Sequence, residues 1–250
     1  MTSLVDRRAA FRNLHRSGCF VIPNPWDGRS AVHMARAGFP ALASTSAGAA
    51  WALGKEDGEM NVDEVLAHLR FLCGLTDLPV NADFEAGFAE TPEGVAAHVA
   101  RCIETGVAGL SIEDRDGAGF FAPDEAVARI RAARSAIDHS GADVMLVGRC
   151  EAYLMPSLDL GEVVRRLNAY AAAGADCLYA PGLKHLDSIA HVVRSVDKPV
   201  NANLTATGLS IAELASVGVR RVSVGAALAA ATYAAFDRDL ARLVAEGRLP

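Results

Sequence analysis

The chain has 250 residues, 51% of them hydrophobic and 22% charged, with a formal net charge of −6. That length holds one large domain, and the apolar share supplies an ample core. The acidic balance excludes a general nucleic-acid binder or an acidic-membrane binder, since both need a basic face. It leaves room for a small anionic substrate, because a metal and an arginine can make a site locally positive.

The five cysteines, Cys19, Cys73, Cys102, Cys150 and Cys177, are odd in number and widely spaced. They read as small buried hydrophobes of a reduced, cytoplasmic protein. Asp6, Arg7, Arg8 and Arg12 interrupt any secretory apolar stretch. The alanine-rich run from Val224 to Ala235 is the nearest approach to a membrane span and is too short for one.

In chain order, a first apolar run, Cys19–Pro23, ends in Asn24-Pro25-Trp26-Asp27, and a second, Ala41–Ser44, ends in Thr45-Ser46-Ala47-Gly48. Val62, Val65, Leu66, Leu69 and Leu72 then recur at helical spacing. The run Pro79–Phe84 leads into Glu85-Ala86-Gly87. Thr91 as N-cap, Pro92 at N1 and Glu93 in the first turn open a helix reaching Ile103. Gly109–Glu113 precedes a helix at Pro123–Ala136, and Val144–Gly148 precedes one at Leu160–Ala173. Cys177–Ala180, Pro199–Ala202 and Arg221–Val224 complete eight apolar runs, and a helix over Ala226–Ala245 follows. Gly38, Gly106, Gly174 and Gly218 stand where helices hand over to strands. Alternating β and α elements predict a parallel sheet, and eight units favour its closure into a single-domain (β/α)8 TIM-type barrel over residues 1–250.

Barrel enzymes build their sites at the carboxyl ends of the strands, and here the charged residues begin where the apolar runs finish. Asp83 and Glu85 share one side of an extended segment by the period-two rule, and Glu113 comes from the next strand. Solvated loop acids are the plain reading of each alone. Three converging carboxylates need a cation between them, and oxygen donors without histidine favour Mg²⁺ or Mn²⁺. Arg149 is either a structural partner of Glu113 or Glu151, or a planar fork for a substrate carboxylate. The Thr45-Ser46-Ala47-Gly48 turn offers N–H groups and hydroxyls to an anion. Asn201 and Asn203, at the seventh strand end, join the candidate substrate-binding residues.

Together these segments resemble the isocitrate lyase/phosphoenolpyruvate mutase superfamily. Asn24 to Ala31 is similar to its first loop, and Ala43 to Gly48 with Leu53 to Gly58 to its anion loop and the acidic residue beyond. Asn81-Ala82-Asp83-Phe84-Glu85-Ala86-Gly87-Phe88 resembles its metal motif, Ser111-Ile112-Glu113-Asp114 its Ile-Glu-Asp, and Val147 to Ala152 its Arg-x-Glu/Asp-Ala. The resemblance implies that Asp83 binds Mg²⁺ directly or through water, with Glu85 and Glu113 holding further waters. It also implies that Thr45, Ser46 and Ala47 cradle substrate oxygens, that Arg149 pairs with a carboxylate, and that Asp57 approaches the metal waters or the substrate. The catalytic set it implies is Asp57, Glu113 and Arg149. The shared chemistry is stabilisation of an enolate of a 2-oxo acid, and family assemblies are dimers and tetramers that swap the C-terminal helix.

The departures are informative. The stretch Arg115 to Pro123 lacks the cysteine and lysine of the lyases and the lysine and asparagine of the mutase gate, and Tyr179-Ala180-Pro181-Gly182 lacks the mutase-type histidine. Cys150 reads as packing. The surviving features predict a Mg²⁺-dependent carbon–carbon lyase or decarboxylase acting on a small 2-oxo or 2-hydroxy acid, with Tyr153, Tyr179 or a metal-bound hydroxide as candidate base. The alternatives are phosphorus–carbon chemistry of the phosphonopyruvate hydrolase or mutase type and a non-catalytic 2-oxo acid binder.

Overall fold

The computed structural model describes residues 2–117, 119–151, 159–204 and 208–249. Each of the eight expected apolar runs overlaps a strand, with β7 and β9 running one residue further: β1 (Phe20–Ile22), β2 (Leu42–Ala43), β3 (Val80–Asp83), β4 (Gly109–Glu113), β7 (Met145–Arg149), β8 (Cys177–Tyr179), β9 (Val200–Asn203) and β10 (Arg221–Ser223). The short pair β5 (Arg115–Asp116) and β6 (Gly119–Phe120) forms an antiparallel hairpin in the expected gate region. The helices are α1 (Leu4–Leu14), α2 (Gly28–Arg36), α3 (Ser46–Ala52), α4 (Val62–Leu75), α5 (Pro92–Ile103), α6 (Pro123–Ser140), α7 (Leu160–Ala172), α8 (Leu186–Ser195), α9 (Ile211–Ser216) and α10 (Ala227–Glu246).

The long strands make one eight-stranded sheet in the order β1-β10-β9-β8-β7-β4-β3-β2, parallel at every ladder. The Ala43 N–H donates to the Pro23 carbonyl at 3.0 Å, bringing the two edges together and nearly closing a (β/α)8 barrel. Local chemistry sets the elements. Asp27, Asn61 and Ser210 each cap a helix with a reciprocal capping box, and Thr91 accepts the Gly94 N–H ahead of Pro92. The four glycines expected after helices all have positive φ.

Alternation along the strands divides the apolar residues between two cores. Leu110, Ile112, Leu146, Leu178 and Val222 pack outward against the helix layer. Phe20, Ile22, Ala43, Met145, Val147 and Cys177 face inward, where Phe11 of α1 joins them. Gly109 makes room for that plug, since a Cβ there would stand 2.7 Å from the Phe11 ring. Phe11 therefore fills the amino end of the lumen, and polar side chains occupy the carboxyl end.

Candidate active site

Arg149, the last residue of β7, lies level with Glu113 of β4 on one side and Tyr179 of β8 on the other. Its Nη1 is 3.2 Å from Asp83 Oδ1, its Nε is 3.2 Å from Glu113 Oε2, and Nε also donates to the Glu151 carboxylate. The guanidinium lies 5.3 Å from the Tyr179 ring centroid. Arg149 pairs with both Glu113 and Glu151, as its structural reading expects, and it also lines the cavity at the barrel mouth.

One guanidinium does not neutralise this rim. Burial pushes the Glu113 carboxyl up to about 8; Arg149 opposes the shift, and Glu151, Asp83 and Glu85 add to it. Burial likewise pushes Glu85 up to about 8, aided by Asp83 and Asp57 and opposed by Arg149. Desolvation and like charge act together on both groups, and strongly perturbed acids of this kind cluster at functional sites.

Glu85 reaches the rim by a route other than the expected extended segment. Strand β3 ends at Asp83, and the Gly87 N–H bonds back to the Phe84 carbonyl at 2.9 Å. Glu85 is left-handed, with φ of 44°. A tight turn, not period-two alternation, brings Glu85 beside Asp83. Phe84 is fully buried and meets Phe88 edge-on at 5.2 Å, anchoring the turn.

The expected Thr45–Gly48 turn is the start of α3. Thr45 is its N-cap and accepts the Gly48 N–H at 3.4 Å. The Ser46 N–H donates to Asp83 Oδ2 at 3.1 Å, and the Asp83 N–H donates to Ser44 Oγ at 2.8 Å. Ser46 and Ala47 both line the cavity. Asp57 is exposed on the turn beyond α3 and borders the same space.

Asn203 faces that space too, and its Nδ2 donates to the Tyr179 hydroxyl at 3.3 Å. Asn201 does not line the mouth. It lies two residues lower on β9, roughly 7 Å down a strand, where its Nδ2 donates to Ser223 Oγ at 3.0 Å and its Oδ1 accepts from Arg221 Nε at 3.0 Å. Any contact of Asn201 with substrate would therefore lie below the rim, beside Arg221. Burial raises the Tyr179 phenol above its ordinary value, which keeps it a proton donor and disfavours it as a base. Tyr153, Ala152 and Ala118 fall outside the described residues.

Sequence reasoning missed two supports. Asp114 is 1% exposed and points outward from the barrel, toward α7. Its Oδ2 accepts from Arg166 Nη1 at 3.1 Å and from the Tyr170 hydroxyl at 2.7 Å, while Oδ1 accepts the Glu151 N–H at 2.8 Å. Arg166 and Tyr170, spaced i and i+4 on one face of α7, were the available signal. Arg221 is the other, signalled by a charge opening an apolar run.

Two adjoining cavities open at this end and share Ser46, Asp57 and Arg149. The outer, of about 680 Å³, is bordered by Glu85, Glu113, Glu151 and the β5–β6 hairpin. The inner, of about 370 Å³, descends past Asp83 and Tyr179 to Asn81, Ser111 and Arg221. A hollow between Arg12, Arg134, Asp143 and Asp176 holds mutually paired charges. Among the described residues, no three His, Cys, Asp or Glu side chains are placed to hold a metal ion by themselves.

A parallel eight-stranded barrel with an acidic rim, an inward arginine and a helix start at its carboxyl end defines a class of small-molecule site. The family profile of phosphoenolpyruvate phosphomutase matches residues 11–244. The 2-methylisocitrate lyase of Escherichia coli K12 is 33% identical over 184 residues, covering 69% of this chain and 61% of that protein. A solved structure from Burkholderia cenocepacia J2315, provisionally described as a lyase/mutase, superposes with a TM-score of 0.95 at 44% identity, covering 98% of this chain and 91% of that one. Oxaloacetate acetylhydrolase with its product oxalate superposes with a TM-score of 0.90 at 27% identity, covering 99% and 89%. The chain belongs to the isocitrate lyase/phosphoenolpyruvate mutase superfamily.

Proposed function

We propose that this protein is a Mg²⁺-dependent carbon–carbon lyase or decarboxylase acting on a small 2-oxo or 2-hydroxy acid through enolate chemistry. The observation that carries this reading is the convergence of Asp83, Glu113 and Glu151 on Arg149 at the mouth of a cavity that Ser46 and Ala47 also line. The relatives' names, a 2-methylisocitrate lyase and an oxaloacetate acetylhydrolase, lie in the same chemical class.

The donor set fits a hard divalent ion. Mg²⁺ keeps several waters and is commonly held through one or two carboxylates, so no cluster of three direct protein ligands is required. Asp83 would be the direct or water-mediated ligand, and Glu85 and Glu113 would hold ion-bound waters. Burial first, and then the neighbouring acids, raise both glutamates, and a bound cation would oppose that shift. When bound, such an ion supplies Lewis-acid neutralisation of charge developing on a substrate oxygen. The chain's own groups do the rest. Arg149 orients a carboxylate, and Thr45, Ser46 and Ala47 border the substrate's oxygens. Asn203 and the Tyr179 hydroxyl present polar groups on the opposite wall, and Asp57 stands at the entrance, which the β5–β6 hairpin borders.

A second reading, phosphorus–carbon bond chemistry, is favoured by the phosphomutase profile match. Incubation with Mg²⁺ and oxaloacetate, 2-methylisocitrate or phosphonopyruvate, with enzymatic detection of pyruvate and assay of phosphate, separates the two. Pyruvate from a carbon substrate, lost in Asp83→Ala and Glu113→Ala, supports the first reading. Phosphate from phosphonopyruvate alone reverses the order, and binding without turnover across the panel identifies a binder. The reading includes a reduced cytoplasmic setting and a homo-oligomeric assembly.

A further inference from the structure

Beneath the rim the inner cavity meets a second guanidinium. Arg221 of β10 is 3% exposed. Its Nε donates to Asn201 Oδ1 at 3.0 Å and its Nη1 to Asn81 Oδ1 at 3.2 Å, both neutral amide oxygens. No ion pair to Arg221 exists among the described residues, and the remaining residues include no Asp or Glu. The other buried arginines are placed differently. Arg166 pairs with Asp114, Arg129 pairs with Glu125, and Arg8 binds the carbonyls of Ile103 and Val107 near the end of α5. A buried cation lacking an anionic partner is costly, and a methionine or leucine would fill the same volume without that cost.

Arg221 also has access to ligand. It lines the same cavity of about 370 Å³ as Ser46, Asp83 and Arg149, with Asn81, Ser111 and Ser223 nearby. The register relates the two arginines. Arg149 is level with Tyr179, Tyr179 with Asn201, and Asn201 with Arg221, so all four face the lumen along one row. Three strand spacings separate Arg149 from Arg221, about 14 Å around the wall, and both long side chains reach inward from it. The shear of the barrel carries that row downward, from the rim at Arg149 to the polar floor at Arg221.

We propose that Arg221 forms an anion subsite at the cavity floor, which takes the distal carboxylate of a dicarboxylate substrate whose 2-oxo end is held at the rim by Arg149 and the start of α3. This rests on the 2-oxo acid reading above and narrows it to dicarboxylates. Burial lowers the Arg221 pKa, with Cys177, Tyr179 and the Asp83 carboxylate, which makes no ion pair with it, opposing the shift. A carboxylate arriving in direct contact relieves the penalty that remains. The flanking amides of Asn81 and Asn201 fix the fork and leave its charge to the ligand.

Calorimetric titration of the Mg²⁺-loaded protein tests this with oxalate, which engages only the rim, with 2-oxobutyrate, which lacks a distal carboxylate, and with malate, 2-oxoglutarate and 2-oxoadipate. The wild type is expected to bind at least one dicarboxylate about 10-fold or more tighter than 2-oxobutyrate. Arg221→Met removes that advantage while oxalate affinity stays within about twofold of the wild type, and Arg221→Lys keeps part of it. Equal weakening of oxalate and the dicarboxylates in both variants assigns Arg221 a structural role and overturns the subsite. So does an unchanged preference in Arg221→Met. Failure of oxalate to bind the wild type overturns the 2-oxo acid reading itself, a result distinguishable from either.

Discussion

The Glu113 backbone N–H donates to the Glu85 carbonyl across 2.9 Å, so the turn after β3 is fastened to the last residue of β4. The bond fixes two acids whose side chains repel each other, and it holds Glu85 in a left-handed conformation with φ of 44°. Non-glycine residues enter that region at a cost of about 1 kcal/mol or more. Glu85→Gly is therefore expected to be more stable than Glu85→Ala by about 1 kcal/mol in metal-free protein, measured by denaturant unfolding. Equal stabilities would show that the turn carries no strain.

Arg149 is the sole cation contacting Asp83, Glu113 and Glu151 among the described residues. Arg149→Met leaves three carboxylates without it, and loss of one partner of a buried pair costs about 3–5 kcal/mol. The expected result is a marked fall in unfolding midpoint in EDTA, partly recovered by millimolar Mg²⁺ as the ion supplies positive charge. Arg149→Lys restores the charge without the fork and should recover stability better than activity. Recovery of both together would argue against orientation of a substrate carboxylate.

Much of this geometry was legible beforehand. The eight strands and the rim position of Asp83, Glu113 and Arg149 follow from apolar runs ending in charge, because alternation and burial leave few other registers. Glu85 was placed on the correct rim for an incorrect reason, since a left-handed turn leaves no periodic trace. Asn201 lies two residues below Asn203 on β9, and nothing local to Asn-Ala-Asn reveals where the strand ends and hence how deep each asparagine sits. Asp114 and Arg221 depend on partners 52 and 140 residues away in sequence, the first created by packing of neighbouring units and the second only across the barrel lumen.

The Asp114 cluster offers a stability test removed from the substrate cavity. Tyr170→Phe removes one of three donors to a buried carboxylate and should cost about 1–2 kcal/mol. Asp114→Ala removes the acceptor of the Glu151 N–H and the Tyr170 hydroxyl and one of two carboxylate partners of Arg166, which keeps Glu162, and should cost about 2–4 kcal/mol. Chemical denaturation of the two variants measures the ratio, and a cost for Asp114→Ala no larger than that for Tyr170→Phe would show the cluster to be slack.

His15 sets a pH dependence at the opposite end of the barrel. It lies edge-on between Phe11 and Phe20, and its Nδ1 meets the Phe11 carbonyl at 2.9 Å. Burial, with Arg221 and Arg12, pushes its pKa down to about 3 against the opposing Phe11 bond. The unfolded chain thus binds a proton near pH 6.5 that the folded chain refuses until about 3. Stability is fully present above pH 6.5 and is lost as pH falls, by up to about 1.4 kcal/mol per pH unit. His15→Leu should remove that contribution, so the difference between wild-type and variant unfolding free energies should change steadily between pH 6 and pH 4. A pH-independent difference would mean that His15 becomes charged in the folded state.

The last helix carries the strongest indication of assembly. α10 spans Ala227–Glu246, yet Ala229 alone is buried along it. Phe236 is 61% exposed and Val244 81%, with Leu240 and Leu243 also exposed. Leu240, Leu243 and Val244 recur at three and four residues, and Phe236 precedes Leu240 by four, so the four form one stripe. Apolar side chains clustered this way mark an interaction surface more often than a solvated one. The Trp51 and Tyr233 rings meet edge-on at 6.4 Å, so the start of the helix is seated while its later turns remain uncovered. Exchange of this helix between copies would cover the stripe by the same contacts in each, closing the assembly. Light scattering on the purified protein should give a dimer or tetramer, and Phe236→Glu with Leu240→Glu should shift it toward monomer while the fold, read by circular dichroism, is retained. A wild-type monomer at micromolar concentration would reject this assignment of α10.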